Sequence, residues 1–239
     1  MKRLFTIVIF ASFVLSSCHF MQDKVRGNGV IKTETRSPNV FNSIEVGGNF
    51  DVFVKQDSAY SVRIETDENL MEYIRVSNDG GTLIIEPGEH KNLSGTKGIK
   101  IYVSAPVFKE LEASGASSIS SESKLTSTDM ISVDLSGASD ATIELQAPKV
   151  STEISGASSI KLKGQTKDLS IEGTGASHAK CFDLLTENAD VDVSGASSAD
   201  IFASVSIKAD ASGASHVRYK GNASANNSSS GAGSVKKVE

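Results

Sequence analysis

The sequence predicts an all-β protein built as a parallel β-solenoid, in which successive coils of about 18–22 residues stack along one rod. Two observations support this. A Gly-Ala-Ser motif, preceded each time by Ser or Thr, recurs at intervals of 22, 19, 19, 20 and 18 residues. The residues between the motifs alternate between apolar and polar with period two, and no helical period survives. The motif glycines are Gly115, Gly137, Gly156, Gly175, Gly195 and Gly213, with a degenerate copy at Gly231.

The alternation keeps one phase through each unit. Counted from the motif glycine, positions −4, −2, +4 and +6 are mainly apolar and the odd positions mainly polar. A hairpin sheet would reverse direction every eight to twelve residues, so one persistent phase favours one coil per unit. Coils spaced about 4.8 Å apart place equivalent residues in columns. The glycine shares the inward phase, which predicts a narrow or bent place inside the rod where no side chain fits.

The first 17 residues form a signal peptide. Lys2 and Arg3 precede an apolar stretch, Leu4 to Leu15, that is too short to span a bilayer. Leu15-Ser16-Ser17-Cys18 then looks like a bacterial lipobox, so Cys18 is expected to carry the lipid and residues 18–27 to form a lipidated tether. The alternative is an ordinary cleaved signal with an incidental cysteine. We expect anchoring to the outer membrane, with the membrane face undetermined.

The remainder, residues 28–239, is expected to be one solenoid domain. Residues 28–110 lack the motif but alternate in the same way, which predicts wider, irregular N-terminal coils. Residues 111–221 form the regular repeats. Residues 222–239 place Ala225, Asn227 and Ser229 at inward positions, which is typical of a polar capping coil.

Composition excludes several classes. Loss of Lys2 and Arg3 leaves 22 basic against 29 acidic side chains, a net charge of −7, so no basic excess is available for nucleic acid. Trp is absent and aromatic residues make up 6%, which excludes a broad aromatic sugar platform. With Cys18 lipidated, Cys181 has no disulfide partner and is expected to be a small core residue.

A carboxylate recurs three residues before each motif glycine. Neighbouring carboxylates about 4.8 Å apart could bridge Ca²⁺ weakly, which makes this column a candidate cation ridge. The favoured alternative is a solvated column that keeps the sheet soluble, and no other cofactor is expected. The column contains Glu112, Asp134, Glu153, Glu172, Asp192 and Asp210.

Two further pairs recur in register. Phe182 and Phe202 lie seven residues after their glycines, so they are candidate contacts for a glycan or a protein partner, unless the strand has turned and both pack inside. His178 and His216 share position +3 but lie two coils apart, too far to hold one metal ion together.

The chain resembles the GIN-domain "putative auto-transporter adhesin" lipoproteins of Gram-negative bacteria. The resemblance covers roughly residues 28 to 239 and implies an exported, right-handed β-helix. It brings no catalytic residues. It rests on Phe41-Asn42-Ser43-Ile44-Glu45-Val46, Gly48-Asn49-Phe50-Asp51-Val52, Asp67-Glu68-Asn69-Leu70, Gly81-Thr82-Leu83-Ile84-Ile85 and the Ser-Gly-Ala-Ser repeats from Ser114.

The expected function is therefore that of a non-enzymatic envelope lipoprotein, an adhesin or ligand-binding β-helix for an unknown glycan or protein. One alternative is a polysaccharide lyase or hydrolase, because Asn188-Ala189-Asp190 and Arg218-Tyr219-Lys220 loosely resemble polygalacturonase motifs. The Asp-Asp pair and Gly-His-Gly that should accompany them are missing, and few long loops remain to build a cleft. A purely structural envelope protein is the second alternative.

Overall fold

The computed structural model describes residues 23–239, and nearly all of its regular structure is strand. Within that range one 3-10 helix, Glu68–Tyr73, interrupts the strands. The strands are β1 (Asp23–Arg26), β2 (Ile31–Arg36), β3 (Ser43–Val46), β4 (Asp51–Gln56), β5 (Ser61–Asp67), β6 (Ile74–Asp79), β7 (Thr82–Pro87), β8 (Lys91–Ser94), β9 (Lys100–Ala105), β10 (Glu110–Ala113), β11 (Ser118–Ser121), β12 (Leu125–Thr126), β13 (Ile131–Leu135), β14 (Asp140–Ile154), β15 (Ser159–Gly173), β16 (His178–Val193), β17 (Ser198–Phe202), β18 (Ser206–Ala211), β19 (His216–Lys220), β20 (Ser224–Ser229) and β21 (Ser234–Lys237).

The strands stack as parallel coils, which confirms the predicted solenoid. The first face runs through β3, β10, β13, the second halves of β14 to β16, β18 and β20. The second face runs through β4, β11, the first halves of β14 to β16, β17, β19 and β21. The third side joins the end of the second face to the start of the next coil's first face. Each motif position pairs with its counterpart in the next coil, as Glu172 does with Asp192.

The predicted inward columns form the core. The position +4 column is buried throughout, and its members are Ile119, Ala141, Ile160, Ala179, Ala199 and Val217. Cys181 is also fully buried, in the column predicted for it. Small and aliphatic side chains suffice here because each coil is narrow and the neighbouring coils cover its core from both sides.

The motif glycines differ from the prediction, because they do not point into the core. They lie exposed at a corner between the two faces, where Gly195 has φ +77° and the Ala196 N–H donates to the Gly175 carbonyl at 2.7 Å. A Cβ at Gly195 would approach that same carbonyl oxygen to 2.6 Å. The close approach that the sequence predicts therefore exists, but it lies between successive coils at the corner.

The inward phase resumes at the serine that ends each motif. Ser139, Ser197 and Ser215 are fully or almost fully buried, and each hydroxyl donates to the carbonyl three residues earlier at 2.7–2.8 Å. A buried hydroxyl needs such a partner, and the corner supplies it within the same motif. Serine is therefore compatible with the interior of this rod.

The N-terminal third departs from simple coils. The coil formed by β7 and β9 stacks outside the earlier segment β3–β4, and the chain then crosses to β10 on the other side of that segment. Beyond this coil, β5 pairs antiparallel with β9, β2 with β5, and β6 with β7. The sequence predicts irregular coils in this region. In the structure, the coil of β7 and β9 precedes the coil of β3 and β4 along the rod, although it follows that coil in the chain. Antiparallel strands then pair with the outer coil. Antiparallel edges close this end of the rod.

The predicted tether also differs from the structure. It extends to residue 27, but β1 pairs in parallel with β8 from residue 23 onward. The Gly29 N–H donates to the buried Asp67 carboxylate at 2.6 Å, and Asn28 and Asn69 exchange further hydrogen bonds with this region. The predicted signal peptide and the predicted lipidation site, Cys18, lie outside the described residues. Within residues 23–239, no helix has the length and apolar character needed to cross a bilayer.

The last coil, formed by β20 and β21, is polar. All six residues of β20 are exposed, although they pair with β18, whose Ile207 and Ala209 are buried beneath them. Serine and asparagine therefore terminate the stack, as the sequence suggests for residues 222–239.

One core position leaves a hydroxyl without a partner. Thr152 is 1% exposed, lies between Val133 and Ile171 in its column, and has no hydrogen-bond partner for its Oγ1. We expect Thr152→Val to raise the free energy of unfolding by about 1 kcal/mol, because the variant removes an unpaired buried hydroxyl at nearly constant volume. Urea denaturation measures this difference.

Thr166→Val is the matched control, because the buried Thr166 hydroxyl donates to the Asp168 carbonyl at 3.1 Å. We expect this control to lower stability. Equal effects of the two substitutions would contradict the assignment of Thr152 as unsatisfied.

Candidate functional site

A groove along the third side is the best candidate site. Two depressions, of about 580 and 440 Å³, adjoin at Thr126 and Ser127, which line both; we call the pair the lateral groove. Its C-terminal half is lined by Gln146, Ala147, Pro148, Gln165, Thr166, Lys167, Leu185, Thr186, Glu187, Phe202 and Ser204. Its N-terminal half is lined by Val40, Phe41, Asn42, Gln56, Tyr60, Pro106, Val107, Lys109, Thr128 and Asp129.

The stacking of the coils sets the spacing of this groove. Thr126 pairs with Gln146, Gln146 with Gln165, and Gln165 with Leu185, and all four side chains are exposed. A column of two amides flanked by a hydroxyl and an aliphatic side chain therefore runs along the groove. Its members are about 4.8 Å apart, because that is the spacing of paired strands.

Gln56 fixes the point at which the two halves meet. Its amide nitrogen donates to the Pro106 and Thr126 carbonyls at 2.7 and 3.0 Å, and its oxygen accepts from the Thr126 N–H at 2.7 Å. One side chain thus links main-chain groups of two other segments where the two depressions adjoin.

The lateral groove has little net charge. Lys167 and Glu187 line the C-terminal half, and Lys109 and Asp129 line the N-terminal half, so each half has one side chain of each sign. Its other lining groups are amides, hydroxyls and apolar side chains. Such a surface suits a ligand held by hydrogen bonds and apolar contact rather than by ion pairing.

The structure separates the two candidate phenylalanines. Both are half-buried, but Phe202 lines the lateral groove, whereas Phe182 lies at a register shift in β16 beneath Arg218 and Lys220. The Lys220 ammonium is 5.0 Å from the Phe182 ring centre and the Arg218 guanidinium 5.7 Å. Phe182 has intramolecular partners of its own, and only Phe202 faces the groove.

The predicted carboxylate column is in register on the first face and extends one coil further, to Glu45. Burial, followed by the neighbouring charges of Glu45 and Asp134, raises the pKa of Glu112. Within the described range, no set of three His, Cys, Asp or Glu residues is placed to hold a metal ion. Calcium binding by this column remains a prediction from the sequence alone.

The two histidines and the cysteine have other partners. His178 Nδ1 lies 2.8 Å from the Ser198 hydroxyl, and His216 Nδ1 lies 2.9 Å from the Ser234 hydroxyl, each one coil further along. Burial raises the pKa of the Cys181 thiol to about 12, so this thiol stays protonated at neutral pH.

The fragments that resemble polygalacturonase motifs do not meet. Asn188 and Asp190 belong to the first face, whereas Arg218 belongs to the second and binds both Asp200 carboxylate oxygens at 2.7 and 2.6 Å. In the described part of the chain, the lateral groove has two lining carboxylates, Glu187 in its C-terminal half and Asp129 in its N-terminal half, and neither belongs to these fragments.

Sequence reasoning did not identify most of the groove. Gln146 and Gln165 each follow their motif glycine by nine residues, and this equal spacing is the signal that could have identified the amide column. Val107 and Leu185 carry no such signal, because their distance from the motif varies with coil length.

The fold and groove together define a class: a parallel β-solenoid whose repeated surface offers an elongated binding trough. The chain belongs to the family described as "Putative auto-transporter adhesin, head GIN domain", whose model matches residues 40–223. This confirms the resemblance drawn from the sequence. A comparison with curated proteins finds no match.

Solved structures share the fold. A protein of Bacteroides fragilis described as a putative adhesin superposes with a TM-score of 0.83 at 21% identity, covering 90% of this chain and all of that one. A protein from Parabacteroides distasonis, described as a putative lipid binding protein, superposes with a TM-score of 0.75 at 23% identity, covering 91% of this chain and all of that one. A putative adhesin of Parabacteroides merdae superposes with a TM-score of 0.70 at 24% identity, covering 91% of this chain and all of that one. At these identities the likeness establishes the fold.

Proposed function

We propose that this protein is a lipid-anchored adhesin of the cell envelope that holds an extended ligand in its lateral groove without catalysis. The observation that supports this most directly is the continuity of the groove across successive coils, with a repeated set of uncharged polar groups along it. A regular trough can contact several units of a chain-like ligand at once, so that weak contacts accumulate.

The proposed lipid anchor determines which end of the rod lies near the membrane. Cys18 precedes β1 by five residues, which span at most about 17 Å when fully extended. Because β1 is paired to β8 near the closed N-terminal end of the rod, a lipid on Cys18 holds that end near the bilayer. The C-terminal coils and the Phe202 end of the groove then project away from the membrane.

Adhesion by intact cells tests the proposal. We expect cells that carry the protein to bind a glycan-coated or host-matrix surface better than cells that lack it. We also expect externally added protease to release the solenoid from intact cells. A Cys18→Ser variant is the matched control, because it keeps the domain and loses the lipid, so it should be secreted or periplasmic and give no adhesion.

Protection from protease in intact cells, together with unchanged adhesion after deletion, would contradict the proposal and favour a structural envelope protein.

A further inference from the structure

We infer that the lateral groove takes a neutral, linear polysaccharide lying parallel to the rod axis, with Gln146, Gln165 and Phe202 as its principal contacts. This inference rests on the proposed function and names the ligand class. It follows from three properties of the groove: its hydrogen-bonding groups, its apolar surfaces and the paired strands of its C-terminal half.

The amide column provides the hydrogen bonds. Gln146 and Gln165 are adjacent, exposed and in register, and each amide offers two donor hydrogens and an acceptor oxygen. Sugar hydroxyls both donate and accept, so they can use both the N–H groups and the oxygen of each amide. Thr126 and Ser204 add hydroxyls at the two ends of the C-terminal half.

Apolar groups lie beside these amides in the C-terminal half of the groove. Phe202 lines the groove, and Leu185, 49% exposed, lies directly in line with Gln165. The C–H face of a pyranose ring packs on an aromatic or aliphatic surface in the same way as other apolar groups.

In the C-terminal half of the groove, a peptide would find no free strand edge. The groove strands are paired with coils on both sides, as the Gln165 strand is with those of Gln146 and Leu185. Strand addition requires an unpaired edge, and a peptide parallel to the rod would cross these strands at a right angle. An acidic polysaccharide is disfavoured by the net charge of −5 and by the single lysine, Lys167, in the C-terminal half.

Calorimetry on the folded, signal-free protein tests the inference with cellohexaose and mannohexaose as neutral probes. We expect binding of one or both, weakened about tenfold by Phe202→Ala and at least as much by the double variant Gln146→Ala/Gln165→Ala.

Phe182→Ala and Thr142→Ala/Lys161→Ala are matched controls. Phe182 is the half-buried phenylalanine absent from the groove lining, and Thr142 and Lys161 are an in-register exposed pair on the second face. Both controls should bind as the parent does.

Polygalacturonate, phosphatidylcholine vesicles and a Ser-Ala repeat peptide are the competing probes. Preferential binding of any of these would overturn the neutral-glycan assignment while leaving the proposed function intact. Neutral-glycan binding that is unaffected by the groove variants would overturn the site. If no probe binds and cells lacking the protein adhere normally, the inference and the proposed function both fail.

Discussion

Gly195→Ala is expected to lower the free energy of unfolding by roughly 3 kcal/mol. Gly195 has φ +77°, a region that costs a residue with a Cβ about 1–2 kcal/mol. The new Cβ would also lie 2.6 Å from the Gly175 carbonyl oxygen, which must remain in place to accept from Ala196. The two coils would have to separate locally, and the hydrogen bond that joins them would weaken.

Denaturation in guanidinium chloride, followed by circular dichroism, measures this loss. Gly80→Ala is the matched control. Gly80 also has positive φ, +57°, but it lies in the β6–β7 hairpin, and nothing within 4 Å would meet its Cβ. We expect this control to cost about 1 kcal/mol. Equal losses for the two variants would show that the corner relaxes without strain, contrary to our account of the glycine column.

The second large effect is expected at Asp67, whose carboxylate is fully buried and joins three segments. It accepts from the Gly29 N–H at 2.6 Å and from the Thr96 N–H and hydroxyl, both at 2.8 Å. Burial acts to raise the pKa of Asp67, but the hydrogen bonds from Thr96 and Gly29 outweigh it and hold the pKa below its ordinary value of 3.8. We expect Asp67→Asn to cost about 2–3 kcal/mol at pH 7, because an amide places a donor against one of these donors.

The contribution of Asp67 to the free energy of unfolding depends on pH with a defined sign. A carboxyl whose pKa is lower in the folded than in the unfolded state stabilises the fold above pH 3.8, and this contribution is lost as the pH falls through the folded-state pKa. The difference in free energy of unfolding between parent and Asp67→Asn should therefore shrink on acidification. Urea denaturation at pH 7 and at about pH 3 measures this difference. Asp57→Asn is the control, because Asp57 is an exposed residue whose ion pair with Lys55 is screened by solvent. A constant difference between parent and Asp67→Asn at both pH values would contradict this account.

The repeat in the sequence was sufficient to predict the architecture. Position −3 carboxylates and position +4 aliphatic residues align between coils because strand pairing is regular once the motif fixes the register. The periodic signal is carried by the chain itself, so no long-range information is needed to predict the core of residues 111–221. The same signal misplaced the glycine, because period-two alternation assumes an extended backbone and Gly195 turns a corner with positive φ.

The groove could not be predicted in this way. Phe202 and Leu185 line one half of the groove and Val107 the other, where coil lengths vary and the motif no longer fixes the phase. The reversed order of β7–β9 and β3–β4 was equally hidden, because pairing between segments some forty residues apart leaves no local trace. The sequence by itself determined the solenoid, its repeating core and its acidic first face, since each depends on contacts that recur at a fixed separation along the chain. Only the tertiary structure decided which exposed side chains share a groove and how the N-terminal end is closed, because those contacts depend on how coils of unequal length pack in space.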